Sequence, residues 1–215
     1  MSGSNHLAPA LHGLGRTHGR IGLLGGSFNP AHDGHLHISK EALKRLNLDA
    51  VWWLVSPQNP LKSSDGMAPF EARFRSAQKM AQHPRIHPSD LEVVLKTRYT
   101  ADTIAKLRMR FPSVHFVWLM GADNMIQLPR WDRWEYIVES IPIAVFGRPT
   151  YSLKAMTGKV AYRYDRRRVP IEASKQLADL SPPAWVFLTI RLNPVSATEL
   201  RVNGQAEKLL GGSEQ

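Results

Sequence analysis

Apolar residues recur along this chain in two alternating rhythms: short unbroken runs, and spacings of three to four. Ile21-Gly22-Leu23-Leu24 is a short apolar run entering Gly25-Gly26, and it reads as a buried strand. From Gly34 to Leu46, residues Leu36, Ser39, Leu43 and Leu46 fall on related faces, which predicts a helix. Ala50 to Val55 (AVWWLV) predicts a second buried strand, closed by Ser56-Pro57. A loop with Pro57, Pro60 and Pro69 leads to a helix expected from about Phe70 to Gln82. Next come a third strand at Leu91 to Leu95 and a third helix at Thr100 to Phe111. Val114 to Met120, ending in Gly121, is a fourth strand, and Ile141 to Phe146 a fifth. The pattern weakens over 148–183, which reads as irregular. A sixth strand is expected at Trp185 to Ile190 and a closing helix at Ser196 to Leu210.

Strands alternating with helices are the pattern of an α/β fold built on a parallel sheet. The expected architecture is a Rossmann-like, doubly wound parallel sheet in one domain, with strand order 3-2-1-4-5. Residues 1–19 mix Gly, Ser, His and Pro without a continuous apolar stretch, so they read as a flexible tail ahead of a domain at 20–215. A length of 215 residues and 43% hydrophobic content suit one such domain with a real core.

Composition narrows the chemistry. Without cysteine, disulfides and thiolate metal sites are excluded, which fits a reducing cytoplasm. No apolar run approaches the roughly 20 residues of a membrane span. The net charge of +10 favours anionic partners: nucleic acid, an acidic surface or phosphorylated small molecules. The densest basic run, Arg163-Tyr164-Asp165-Arg166-Arg167-Arg168, is either a nucleic-acid patch or a solvated face, the commoner case for so short a run.

The segment Gly25-Gly26-Ser27-Phe28-Asn29-Pro30-Ala31-His32-Asp33-Gly34-His35 lies between the first strand and the first helix, where open α/β sheets bind phosphorylated ligands. Gly25 and Gly26 let backbone approach a ligand, and the helix start offers N–H groups to an anion. His32 and His35, three apart, can face one site and stabilise charge developing on a phosphate. Two other readings stand beside this one: the histidines as metal ligands with His37, in a context unlike any standard zinc set, or as exposed residues of a helix start. The segment is not the G-x-G-x-x-G dinucleotide fingerprint. Near the other end, Ser196 followed by Glu199 is a capping-box pattern. Its hydroxyls and amides suit an anion as well as a plain helix start, with Arg201 within the first turns. Asp123, after the fourth strand, is placed to accept from a ribose. Trp131 suits either stacking on a flat ring or, with Trp134 three residues on, simple core packing.

GGSFNPAHDGH resembles the G-G-x-F-[DN]-P-x-H-x-G-H signature of the nucleotidyltransferase superfamily with the H-x-G-H motif, at every motif position. The resemblance implies an ATP site formed by Gly25, Gly26, Ser27 and Phe28, with His32 and His35 on the phosphates and no covalent nucleophile. Val195 to Arg201 looks like that family's I-S-S-T-x-x-R motif, which implies that Ser196, Thr198 and Arg201 hold the triphosphate. Val195 stands for isoleucine and Ala197 for the second serine. From Gly22 to Arg201 the chain resembles the bacterial nicotinate-nucleotide adenylyltransferases. By that resemblance Thr100 and Trp131 hold the nicotinate ring and its carboxylate, and Asp123, counted with the ATP site, meets ribose. Ser56 to Lys62 looks like the P-x-x-x-P-H-K loop, with Lys62 on the acceptor phosphate and Leu61 where histidine is usual; Gly147-Arg148-Pro149 resembles the R-P ending of the fifth strand.

The expected reaction joins ATP and nicotinate mononucleotide into deamido-NAD and pyrophosphate, with Mg²⁺ carried in on ATP and no protein metal cage. Partners would be these two substrates and neither nucleic acid nor membrane, with the oligomeric state open. The rivals are a sister transferase for nicotinamide mononucleotide or phosphopantetheine, and a basic nucleic-acid-binding module, for which no reading motif is present.

Overall fold

A computed structural model describes residues 19–57, 66–147 and 149–190. Six strands, β1 (Gly19–Gly26), β2 (Ala50–Val55), β3 (Ile86–Ser89), β4 (Val114–Gly121), β5 (Ile143–Gly147) and β6 (Trp185–Thr189), form one sheet in the order β3-β2-β1-β4-β5-β6. Every neighbouring pair is parallel. Parallel neighbours need crossovers, and helices supply them on both faces. They are α1 (Asp33–Arg45), α2 (Phe70–Met80), α3 (Leu91–Val94), α4 (Thr100–Arg110), α5 (Ala122–Gln127), α6 (Trp134–Ser140), α7 (Pro149–Met156) and α8 (Lys159–Arg163).

Alternation along the strands divides the core into two layers. Trp52 and Leu54 of β2, Phe116, Trp118 and Met120 of β4, and Trp185 and Phe187 of β6 join one cluster with α4, α5 and α6. Val51, Trp53, Val55, Val117, Leu119, Val186 and Leu188 join the other with α1 and α2. Strands buried on both faces read as continuous apolar runs, which is why β2 appears in the sequence as AVWWLV.

The expected order 3-2-1-4-5 holds, with β6 added beyond β5. The third strand is displaced: it is Ile86–Ser89, and Leu91–Val94 forms one helical turn instead. Pro88 is tolerated because β3 pairs only with β2 at the sheet edge. Val93 and Val94, which suggested a strand, are about 40% exposed. Nor is the described part of 148–183 irregular. It holds α7, α8 and 3₁₀ turns at Asp165–Arg167 and Ile171–Asp179, pieces too short to show a period in sequence. Residue 148 and the expected closing helix at 196–210 lie outside the described residues. Among the described residues, no helix is long and apolar enough to cross a membrane.

Candidate functional site

The winding of the sheet reverses at β1, whose crossovers leave toward β2 on one side while β4 lies on the other. The carboxyl ends of β1 and β4 therefore open a crevice, the usual ligand position in such sheets. Register places Leu24 beside Leu119, so Gly25 and Gly26 lead into the same edge as Met120 and Gly121. A Cβ on Gly25 would meet the Trp118 ring at 2.8 Å, whereas one on Gly26 would make only ordinary contact with Phe28. The first glycine is thus required by packing across the sheet.

Beyond Gly26 the chain turns sharply. Phe28 takes a left-handed backbone (φ 48°) and its side chain is buried, stacked on Trp53 at 5.2 Å and against the His35 ring at 4.6 Å. Phe28 can therefore serve a ligand only through its main chain, while its ring acts as the floor under His35. Asn29 is also buried; it donates to the Gly66 carbonyl at 3.0 Å and accepts from the Ala68 N–H at 3.2 Å.

His32 caps α1. The Gly34 N–H donates to His32 Nδ1 at 3.1 Å, and the His32 N–H donates to His35 Nδ1 at 3.2 Å, a capping box made by two imidazoles. A ring nitrogen that accepts carries no proton, so in each neutral ring the proton sits on Nε2. The rings lie 3.9 Å apart, His32 buried and His35 half-buried. This cap thus provides two oriented N–H donors. The helix start is held from below: Ser39 Oγ donates to the His35 carbonyl at 2.8 Å and accepts from Trp53 Nε1 at 2.7 Å.

On the β4 side, Asp123 is exposed on the first turn of α5, its carboxylate folded back over Gly121, where a Cβ would collide with it. Thr100, half-buried, opens α4. Trp131 follows a 3₁₀ turn at Leu128–Arg130; it is half-buried, with its ring edge-on to Trp118 at 6.4 Å. Trp134 is buried, with Lys159 and Arg163 over its ring. Trp134 is core, whereas Trp131 packs against the same core and is partly exposed. Arg133, between them, pairs with Asp132 at 2.8 Å and with Asp102 on α4, and these hydrogen bonds raise its pKa further. It ties the segment after Trp131 to the first turn of the helix that Thr100 begins.

Lys62, Ser196, Thr198 and Arg201 lie outside the described residues, as do the departures at Leu61 and Ala197. In the basic run, Arg163 pairs with Glu135 and Arg168 lies over the Trp185 ring, so part of its charge is spent on packing. Among the described residues, no group of three or more His, Cys, Asp or Glu could hold a metal ion.

Two buried charged groups escape sequence reading. Arg73 of α2 sits 1% exposed under the turn. Glu92 of α3 is buried beside Thr103, whose hydroxyl lies 3.3 Å from Glu92 Oε1 and 2.9 Å from Thr97 Oγ1. Burial pushes the Glu92 carboxyl up to about 7, against hydrogen bonds from Thr103 and Ser56 that favour the anion. For Arg73 a signal existed: it falls on the apolar face of α2, with Phe70, Phe74 and Ala77 at helical spacing.

A profile described as cytidylyltransferase-like matches residues 23–203. A probable nicotinate-nucleotide adenylyltransferase of Parvibaculum lavamentivorans is 54% identical, over 86% of this chain and 92% of its own. One from Cereibacter sphaeroides is 50% identical over 86% and 98%. The chain belongs to the nicotinate-nucleotide adenylyltransferases of the cytidylyltransferase-like family. The fold is also that of a Plasmodium falciparum nicotinic acid mononucleotide adenylyltransferase solved with NaAD, at TM-score 0.63 and 18% identity over 88% of this chain and 90% of that one. The same enzyme solved with APC superimposes at TM-score 0.62, with 18% identity over 86% and 83%.

Proposed function

We propose that this chain transfers the adenylyl group of ATP to nicotinate mononucleotide, forming deamido-NAD and pyrophosphate. The observation that carries the reading is the imidazole capping box at the sheet's switch point, which sets two Nε2–H donors at the N-terminus of α1. Relatives about 50% identical, named for this reaction, supply the acceptor.

In the reaction, a 5′-phosphate oxygen of the mononucleotide attacks the α-phosphorus of ATP. A new P–O bond forms, the α–β bridging P–O bond breaks, and pyrophosphate leaves with the electron pair. His32 and His35 donate to phosphate oxygens as charge builds on them, which costs no reorganisation because their tautomers are already set. The turn over Gly25, Gly26, Ser27 and Phe28 offers main chain, Asp123 accepts from ribose, and Trp131 with Thr100 receives the nicotinate ring and its carboxylate. Lys62 meets the acceptor phosphate, and Ser196, Thr198 and Arg201 hold the triphosphate. Mg²⁺ would be carried in on ATP, held mostly by phosphates and water rather than by a protein cage, and would supply charge neutralisation to the pyrophosphate. The domain expected at 20–215 begins with β1 at Gly19, and we place its work on small molecules in the cytoplasm.

The test offers nicotinate mononucleotide, nicotinamide mononucleotide and phosphopantetheine separately with ATP and measures pyrophosphate release. Nicotinate mononucleotide should give the highest kcat/KM. Preference for either of the others would reassign the acceptor, and no release with any of them would remove the activity.

A further inference from the structure

The turn and the chain leaving β2 are held together by one side chain. Arg73 Nη1 donates to the Ser27 carbonyl at 2.6 Å and to the Ser56 carbonyl at 2.7 Å. Its Nη2 donates to the Pro57 carbonyl at 2.9 Å and its Nε to the Ala68 carbonyl at 2.9 Å. One planar fork thus joins the turn after β1, the exit from β2 and the entry to α2. Asn29 makes a second clamp from the turn to Gly66 and Ala68. The Ser56 N–H donating to the Gly26 carbonyl at 2.9 Å closes the assembly.

A rigid guanidinium reaches three segments in one plane; an ammonium presents a point charge with tetrahedral donors and cannot. Burying a cation is costly, and desolvation lowers the Arg73 pKa, yet an arginine stays protonated. Among the described residues its hydrogen bonds all end on backbone carbonyls rather than on a carboxylate. The positive charge stays beneath the turn, offset in part by the Coulomb attraction of Glu71 and by the Phe70 ring 5.6 Å away. A clasp needed only for folding could be made of neutral groups.

We propose that Arg73, seconded by Asn29, is a positioning residue for adenylyl transfer: it fixes the main chain of the phosphate turn relative to the exit of β2, and adds its charge under the triphosphate. It touches no substrate, and its role rests on the reading that this turn binds ATP. Geometry and charge separate by substitution. Arg73→Lys keeps the charge and loses the fork, whereas Arg73→Met loses both.

The experiment uses the full chain and measures kcat, KM for each substrate, Kd for a non-hydrolysable ATP analogue and the thermal midpoint. Arg73→Lys should bind the analogue within about threefold of wild type while kcat falls about 10- to 100-fold, the scale of a small misplacement at a reacting centre. Arg73→Met should lose a similar kcat and also bind the analogue about 10-fold more weakly or worse. Ala77→Gly, one turn further along the same helix and making none of the clasp's hydrogen bonds, supplies the comparison: a lower midpoint with unchanged kcat per folded molecule. Should both Arg73 variants fail to fold, Asn29→Ala carries the test, with the same loss of kcat expected and analogue binding kept. A kcat within twofold of wild type for Arg73→Lys, or for Asn29→Ala where that variant carries the test, would overturn the proposal. So would losses matching the Ala77→Gly pattern. Wild-type turnover in the same series tests the activity itself, so its failure is distinguishable from failure of the positioning role.

Discussion

His35 has two tasks that substitution can separate. Its Nδ1 accepts the His32 N–H as half of the cap, and its Nε2–H is the proposed donor to phosphate. Glutamine at the third helical position makes the same capping bond without an imidazole. His35→Gln should therefore keep the thermal midpoint and still lose about 10²-fold in kcat, whereas His35→Ala should lose both, the cap being worth about 1 kcal/mol. A His35→Gln enzyme with near-normal turnover would leave the ring only its capping role. Glu92 gives a prediction about pH. Its carboxyl, normally near 4.5, is raised to about 7 in the folded protein, so between these values the folded state binds the proton more tightly than the unfolded one. Its contribution to stability is present below about 4.5 and is lost as pH rises through about 7. Glu92→Gln, neutral at every pH, should gain on wild type by up to about 3 kcal/mol at pH 8 and by little at pH 4.5. Denaturant unfolding of both proteins across that range checks it, and parallel curves would contradict the burial of an ionising group.

Trp131 belongs to the scale of elements, because its position depends on the pieces around it. The 3₁₀ turn at Leu128–Arg130 delivers it edge-on to Trp118, and Arg133 ties the following residue to α4 through Asp102 and Asp132. Trp131→Ala should weaken nicotinate mononucleotide binding about 10-fold or more while leaving ATP-analogue binding nearly unchanged, as read by titrating each alone. An equal loss for both ligands would make the ring a packing element. The same elements show what could be read in the sequence. Strands β1, β2, β4, β5 and β6 were legible because burial on both faces writes them as unbroken apolar runs. Strand β3 was not, because a four-residue edge strand carrying His87 and Pro88 lacks that signature. The histidine turn was legible because its chemistry is contiguous. The roles of Arg73 and Glu92 were hidden because their partners become neighbours only in the folded chain: Ser27 and Ser56 when the sheet forms, Thr103 when α4 lies beside α3.

Across the whole molecule, charge and topology act together. The sheet brings the ends of β1 and β4 to one edge, and two anionic substrates must reach that edge on a chain of net charge +10. Local pairing cannot consume this excess, since each ion pair takes one charge of either sign: among the described residues Arg20, Arg45, Arg133 and Arg163 have carboxylate partners, while Arg166 and Arg167 stand exposed. A surplus of this sign draws polyphosphates in from several ångströms away, and salt screens it over a length of about 8 Å at physiological ionic strength. The attraction acts on encounter, whereas the cap, the glycine turn and Arg73 act on the bound complex at short range. The two should therefore respond differently to salt. Raising monovalent salt from about 10 to 150 mM at fixed Mg²⁺ should lower kcat/KM for both substrates severalfold and leave kcat within about twofold. If kcat fell in step with kcat/KM, salt would be acting on the catalytic arrangement itself, and the surplus charge would have no separate part in substrate capture.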